Sequence, residues 1–316
     1  MAPVGRIAGE IGPFRDPSVN GDDSKDLFRQ MLAEAAALVK KEAGGIGVQV
    51  ADSMRPPVYD DRHLYYGSGG PRPEDIRQDT LGDCYFVAAL ASFAKQQPQR
   101  IQDAIRFDPQ TKNFKVTLHG PLNIPFETEV TQREIKENIE RQGGSVADNY
   151  IVGPIWPAVI ETALAKREND PFFSAILAEA ENRNPDGSLG AGFLSIRGGL
   201  SSEAMEVISG QRGRDLAMNG IMPPRPVLQS AESALSQGIP VTLSSGDGSP
   251  GTVPHHVYMV EAVTFDANGV GTVTLRNPWG HNRGVPGSEN PESALITVKA
   301  DDLATAGAYF TVGPGT

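Results

Sequence analysis

The chain has 316 residues, of which 39% are apolar, with 35 glycines, 25 prolines and a formal net charge of −11. This composition describes a globular, loop-rich protein rather than a fibre or a disordered acidic tail. The absence of a basic face argues against a nucleic-acid partner.

No run of sequence approaches the roughly 18 consecutive apolar residues of a membrane-spanning helix. The residues after Met1 contain no apolar signal segment. The sequence therefore predicts a soluble protein without membrane association, located in the cytoplasm or exported by a route that needs no signal peptide. A single cysteine, Cys84, rules out an internal disulfide and a cysteine-rich metal centre. Isolated cysteines are ordinarily small buried hydrophobes, so only the surrounding residues argue for more.

Residues 1–72 are expected to form a partly disordered N-terminal arm. It contains one helix, capped near Asp22-Asp23-Ser24 and running to about Glu42, with Leu27, Met31, Leu32, Ala35 and Leu38 at helical spacing. A helical subdomain is expected over 73–222. Its first helix starts at Cys84 and stops at Pro98, and the run from Tyr85 to Ala94 is apolar nearly all round, the mark of a buried helix. A hairpin follows, Ile105 to Phe107 against Phe114 to Leu118, then a strand from Pro125 to Thr131. Further helices are expected over 154–167 and from Ser201, with a short one over 172–181 inside the polar stretch 169–197.

A β-rich subdomain is expected over 223–316. After a helix from Val227 to Gln237, strands are predicted at 241–244, 257–263, 270–276, 295–298 and 309–312, with a hairpin turn at Asp266 to Gly269. A helical half facing an antiparallel β half is an α+β arrangement with a cleft between them.

Cys84 falls in the first turn of its helix, behind Gly82 and Asp83, where unpaired N–H groups and the helix dipole favour a thiolate. Asp83 stands at the N-cap position. Six residues upstream, Gln78 is placed to donate its amide to an oxyanion beside the Cys84 N–H. Among the five histidines, His256 opens the run Val257-Tyr258-Met259-Val260, so its ring sits at the mouth of a strand in the opposite half. Asn277 closes a later strand. Its amide is expected to hold the imidazole Nδ1–H and leave Nε2 facing sulfur, with Trp279 covering the pair from water. His255, one place away, points to the other face. The spacing alone is suggestive of a Cys–His–Asn set rather than decisive for one.

These residues resemble the calpain protease core. Gln78, Leu81, Gly82, Asp83 and Cys84 match its first signature; His256, Tyr258 and Val260 match the second; Arg276-Asn277-Pro278-Trp279-Gly280 match the third, in the same order. The helix beginning at Trp156 and the segment Gly198-Gly199-Leu200-Ser201-Ser202-Glu203-Ala204 also resemble family segments. The resemblance covers about residues 70 to 315. It implies a papain-like fold of two subdomains and a cysteine endopeptidase. In it Cys84 is the nucleophile, His256 the general base, Asn277 its orienting residue, Gln78 the oxyanion donor and Trp279 the shield. It implies protein or peptide substrates; an inhibitor, chaperone or immunity protein is a further partner that an effector role would add, and the resemblance does not imply it. An acyltransferase or deamidase on the same Cys–His–Asn site is the alternative, because the thioester intermediate serves those reactions equally.

The sequence departs from the family in its calcium loops. Asp75 falls where the first loop has an aspartate, which makes it a weak ligand candidate. The stretch Phe193-Leu194-Ser195-Ile196-Arg197, however, has no carboxylate, and Arg283 stands in the second loop where a hard cation wants oxygen. No metal or other cofactor is expected, and calcium-independent activity is. Tyr85 replaces the family's usual tryptophan. A stand-alone core without regulatory domains suits a bacterial effector or toxin.

Overall fold

The computed structural model describes residues 58–65, 69–78, 81–120, 123–140, 154–170, 193–218 and 223–315. The helices expected over 22–42 and 172–181 lie outside them. Helix α1 (Cys84–Gln96) is buried at every position from Tyr85 to Ala94, because it lies between a β-sheet and other helices. Gln97 leaves helical geometry, and Pro98 opens α2 (Pro98–Ala104) in the first turn, where a missing N–H costs nothing. Strands β1 (Ile105–Asp108), β2 (Asn113–His119) and β3 (Pro125–Val130) form a three-stranded antiparallel sheet in that order. Along β2, Phe114, Val116 and Leu118 are buried and their neighbours are not, the period-2 signature of a one-sided sheet.

Helices α3 (Gln132–Glu140) and α4 (Trp156–Glu168) pack together, and α5 (Ser201–Ser209) packs on α1. Tyr59 and Leu64 belong to this same core, and His63 and Leu64 accept backbone bonds from Ile155 and Trp156. The helical body therefore includes residues that precede position 73.

The second half contains β4 (Arg214–Ala217), α6 (Arg225–Ser236), β5 (Val241–Ser244), β6 (Val257–Phe265), β7 (Gly271–Arg276), β8 (Leu295–Lys299), α7 (Ala300–Thr305) and β9 (Tyr309–Val312). Its six strands are antiparallel in the order β4-β9-β5-β6-β7-β8. The turn at Asp266 forms as expected: its carboxylate accepts from the N–H groups of Asn268 (2.9 Å) and Val270 (2.8 Å), and Gly269 supplies φ +79°. This mixed helix and antiparallel-sheet architecture is the α+β fold read from the sequence. Among the described residues no helix is long and apolar enough to cross a membrane.

Strand β6 joins the two halves. Val257 and Met259 pack into the helical core, whereas Tyr258 and Val260 pack into the β core. Alternation along one strand therefore contributes to two hydrophobic clusters, and all four residues are buried. A register shift between Val260 and Ala262 ends that regime. At the shift, Glu261 forms an ion pair with Lys95 of α1.

Candidate active site

Cys84 sits at the first position of α1. Asp83 occupies the N-cap position, but its side chain makes no capping bond. Its carboxylate instead accepts from Gln78 Nε2 at 2.9 Å, while the same nitrogen donates to Leu81 O at 2.7 Å. Both amide hydrogens of Gln78 are thereby used on the 81–83 loop, and Oε1 is buried without a partner. The expectation that Gln78 presents a donor to an oxyanion is therefore not how its amide stands here. The reason is electrostatic, since a carboxylate within reach makes the stronger, charge-assisted acceptor.

Cys84 keeps some exposed surface, yet protein surrounds its sulfur. Burial pushes the thiol up to about 12, against the opposing pull of the Val257, Tyr85 and Cys84 backbone N–H groups. The sulfur thus lies at the first amide of β6. Among the described residues no hydrogen bond links it to the His256 ring.

His256 immediately precedes β6 and is buried, with only 2% of its surface exposed. Its placement depends on a tight turn in which His255 adopts φ +53° and donates its N–H to Gly246 O at 2.7 Å. Ser245, fully buried at the end of β5, accepts from His256 N at 3.0 Å and donates to Val253 O at 2.5 Å. Nothing in the sequence singles out Ser245, because a serine ending a strand carries no distinctive signal.

The ring nitrogen that meets Asn277 Oδ1 is Nε2, at 3.1 Å. This corrects the expected assignment: Nδ1 is the nitrogen left for sulfur. The cause is the direction from which the 277–282 loop approaches the ring, which spacing cannot reveal. Trp279 lies against the imidazole with centroids 4.8 Å apart and planes tilted 39°, and Tyr258 meets it edge-on at 4.9 Å. Trp279 N also donates to Asn277 Oδ1 at 3.1 Å. Burial, only partly offset by the Asn277 bond, holds the imidazole down to about 4. Both shifts favour the uncharged forms, a neutral thiol and a neutral imidazole.

The segment before the nucleophile is tied to the histidine side. Gln78 N donates to Pro278 O at 2.7 Å, and Glu74 pairs with Arg276 at 2.6 Å, one residue before Asn277. Asp75 is buried. It accepts from Trp156 Nε1 (2.9 Å), Arg72 N (2.9 Å) and Arg72 Nη2 (3.2 Å). Arg283 forms a forked pair with Glu292. These donors satisfy Asp75 with protein N–H groups and place a guanidinium in the second loop, so the residues present do not fit a calcium ion. Among the described residues no group of three or more His, Cys, Asp or Glu side chains converges on a metal position.

The sequence model of the family described as "Calpain family cysteine protease" matches residues 33–288. Calpain-9 of Mus musculus is 25% identical over 224 residues, which is 67% of this chain and 29% of that protein. Calpain-9 of Homo sapiens gives the same identity and coverage. Calpain-8 of Rattus norvegicus is 24% identical over 226 residues, 67% of this chain and 28% of its own length. The chain thus spans less than a third of these relatives.

Proposed function

The chain belongs to the calpain family of cysteine proteases, and from that premise we propose that it is a cysteine endopeptidase acting on protein substrates. Cys84 is the nucleophile, His256 the general base and Asn277 the amide that orients the histidine. The observation that carries this reading is the buried His256 Nε2–Asn277 Oδ1 bond under Trp279, with the Cys84 sulfur at the first amide of the strand that follows His256.

The thiol and imidazole rest neutral, so the thiol proton passes to Nδ1 as sulfur bonds to the scissile carbonyl carbon. The oxyanion forms at the uncapped N-terminus of α1, where the Cys84 N–H and the helix dipole stabilise it. Gln78 becomes a second donor only by giving up its bond to Leu81 or Asp83 as substrate enters. Collapse breaks the C–N bond, and the leaving amine takes the proton from Nδ1. Water, deprotonated by the same nitrogen, then cleaves the thioester and restores the thiol. No step uses calcium. The engagement of Asp75 by Arg72 and Trp156, and of Arg283 by Glu292, supports activity without it.

The test is incubation of an unfolded protein substrate with the chain and with its Cys84→Ala variant, in calcium and in chelator, read by mass spectrometry. Scission by the parent alone, equal in both media, is expected. A mass gain of about 1 Da or a cross-link without scission would instead indicate deamidation or acyl transfer on the same thioester. Unchanged scission by Cys84→Ala would overturn the assignment of the nucleophile.

A further inference from the structure

An asparagine amide has two ends of nearly equal shape and opposite hydrogen-bonding sense, so its neighbours alone decide which end faces a given group. The end that Asn277 turns toward His256 matters for the chemistry. With Oδ1 there, Nε2 must carry the ring proton and Nδ1 is free to accept one. With Nδ2 there, Nε2 would be the acceptor, the proton would sit on Nδ1, and the ring could not take the proton from sulfur.

Behind Asn277 lies a second asparagine, Asn282, with 0% of its surface exposed. Asn277 Nδ2 donates to Asn282 Oδ1 at 3.2 Å, and Asn282 Nδ2 donates to Ser293 O at 2.8 Å. The Asn282 backbone is held as well: its N–H donates to Pro291 O at 2.8 Å and its carbonyl accepts from Val285 N at 3.2 Å. The two ends of this chain of amides have no freedom of sense. A backbone carbonyl at Ser293 can only accept, and the backbone N–H of Trp279, 3.1 Å from Asn277 Oδ1, can only donate. Polarity therefore runs in one direction, from Ser293 through Asn282 and Asn277 to the histidine, and each bond polarises the next.

We propose that Asn282 is a positioning residue for the reaction: it fixes the amide of Asn277 with Oδ1 toward His256 Nε2 and so keeps Nδ1 available as the base. This inference rests on the peptidase reading. It goes beyond that reading in naming a residue that touches neither nucleophile nor base. Without Asn282 the Asn277 amide keeps one constraint, the Trp279 N–H, and has a buried donor left unpaired.

The test is a double-mutant cycle on the full chain with Asn277→Ala, Asn282→Ala and both together. Two readouts are used: kcat and KM for scission of an unfolded protein, and the pH profile of Cys84 alkylation by iodoacetamide, which needs no turnover. Asn282→Ala is expected to lower kcat about tenfold, the rate equivalent of one buried hydrogen bond, with KM unchanged. It is also expected to displace the alkylation profile. In the Asn277→Ala background the same substitution is expected to change neither readout further. Asn282→Asp matches the asparagine in volume and keeps an acceptor for Asn277 Nδ2, so it should recover part of both losses. Should the alanine variant not fold, the cycle is run with Asn282→Leu, which is close to asparagine in size and removes the acceptor for Asn277 Nδ2. Equal losses in both backgrounds, or unaltered kcat and alkylation, would overturn the proposal. If the parent shows no Cys84-dependent scission, the peptidase reading fails, and the alkylation cycle still decides the role of Asn282.

Discussion

The Ser92 hydroxyl and the backbone of Val241 bond to each other twice: Ser92 Oγ accepts from Val241 N at 2.7 Å and donates to Val241 O at 3.1 Å. Ser92 is 1% exposed and lies two turns along α1 from Cys84, while Val241 opens β5, the neighbour of the strand that follows His256. One side chain thus ties the nucleophile's helix to the base's sheet.

Ser92→Ala removes both bonds and leaves a buried backbone N–H and C=O unpaired. The expected loss is about 1–3 kcal/mol, reduced slightly by the better helix propensity of alanine. Urea unfolding of the two proteins measures it, and an unchanged midpoint would contradict the coupling.

The imidazole of His256 is held at about 4, against an ordinary value of 6.5, chiefly by burial. A base depressed in this way binds protons more readily in the unfolded chain. The group therefore carries no penalty above pH 6.5, and it lowers stability progressively as pH falls from 6.5 toward 4, by roughly 3 kcal/mol in all. A His256→Gln variant should lose less stability than the parent between pH 7 and pH 4.5. Depressed carboxylates such as Asp60 and Asp108 act equally in both proteins and cancel in the comparison. Parallel stability–pH curves would rule the effect out.

Gly199 lies against the ring of Tyr85, the residue after the nucleophile. A Cβ there would stand 2.6 Å from Tyr85 Cε2 and Cζ. The ring is buried, so Gly199→Ala must displace the ring itself, the 198–200 segment or the first turn of α1. A fall in kcat/KM of about tenfold or more is expected, with a smaller effect on the melting midpoint. A variant as active as the parent would show that the segment shifts freely.

Asp75 is held by protein donors on three sides. Asp75→Ala leaves the buried Trp156 indole N–H without its acceptor, and a loss of about 2–4 kcal/mol is expected. Calcium should not raise the melting midpoint of either protein. A calcium-dependent rise in the parent that Asp75→Ala abolishes would establish a metal site at this carboxylate.

Much of the fold was legible because the core-forming segments have a clear period. The all-round apolar run of α1, the alternation of Phe114, Val116 and Leu118, and the Asp266 turn each specify a local structure without help from the rest of the chain. Helix α3 was not legible: within it only Ile135 and Ile139 are apolar, and its reason for forming is the packing on α4. Strand β4, mostly exposed, exists through its pairing with β9. At the site, the order of Cys84, His256 and Asn277 was readable, since each stands at the end of a recognisable element. The sense of the imidazole and the direction of the Gln78 amide were not. Those depend on the approach of the 277–282 loop and on Asp83, that is, on where neighbouring side chains point once the backbone has closed.

Because β6 contributes Val257 and Met259 to one cluster and Tyr258 and Val260 to the other, it is a party wall: neither room can be emptied while the other stays furnished. The two tryptophans offer a separate lamp for each, Trp156 in the helical cluster and Trp279 in the β cluster. In each single-tryptophan variant the fluorescence midpoint should therefore coincide with that of far-UV circular dichroism, and two separated transitions would mean that the halves melt independently.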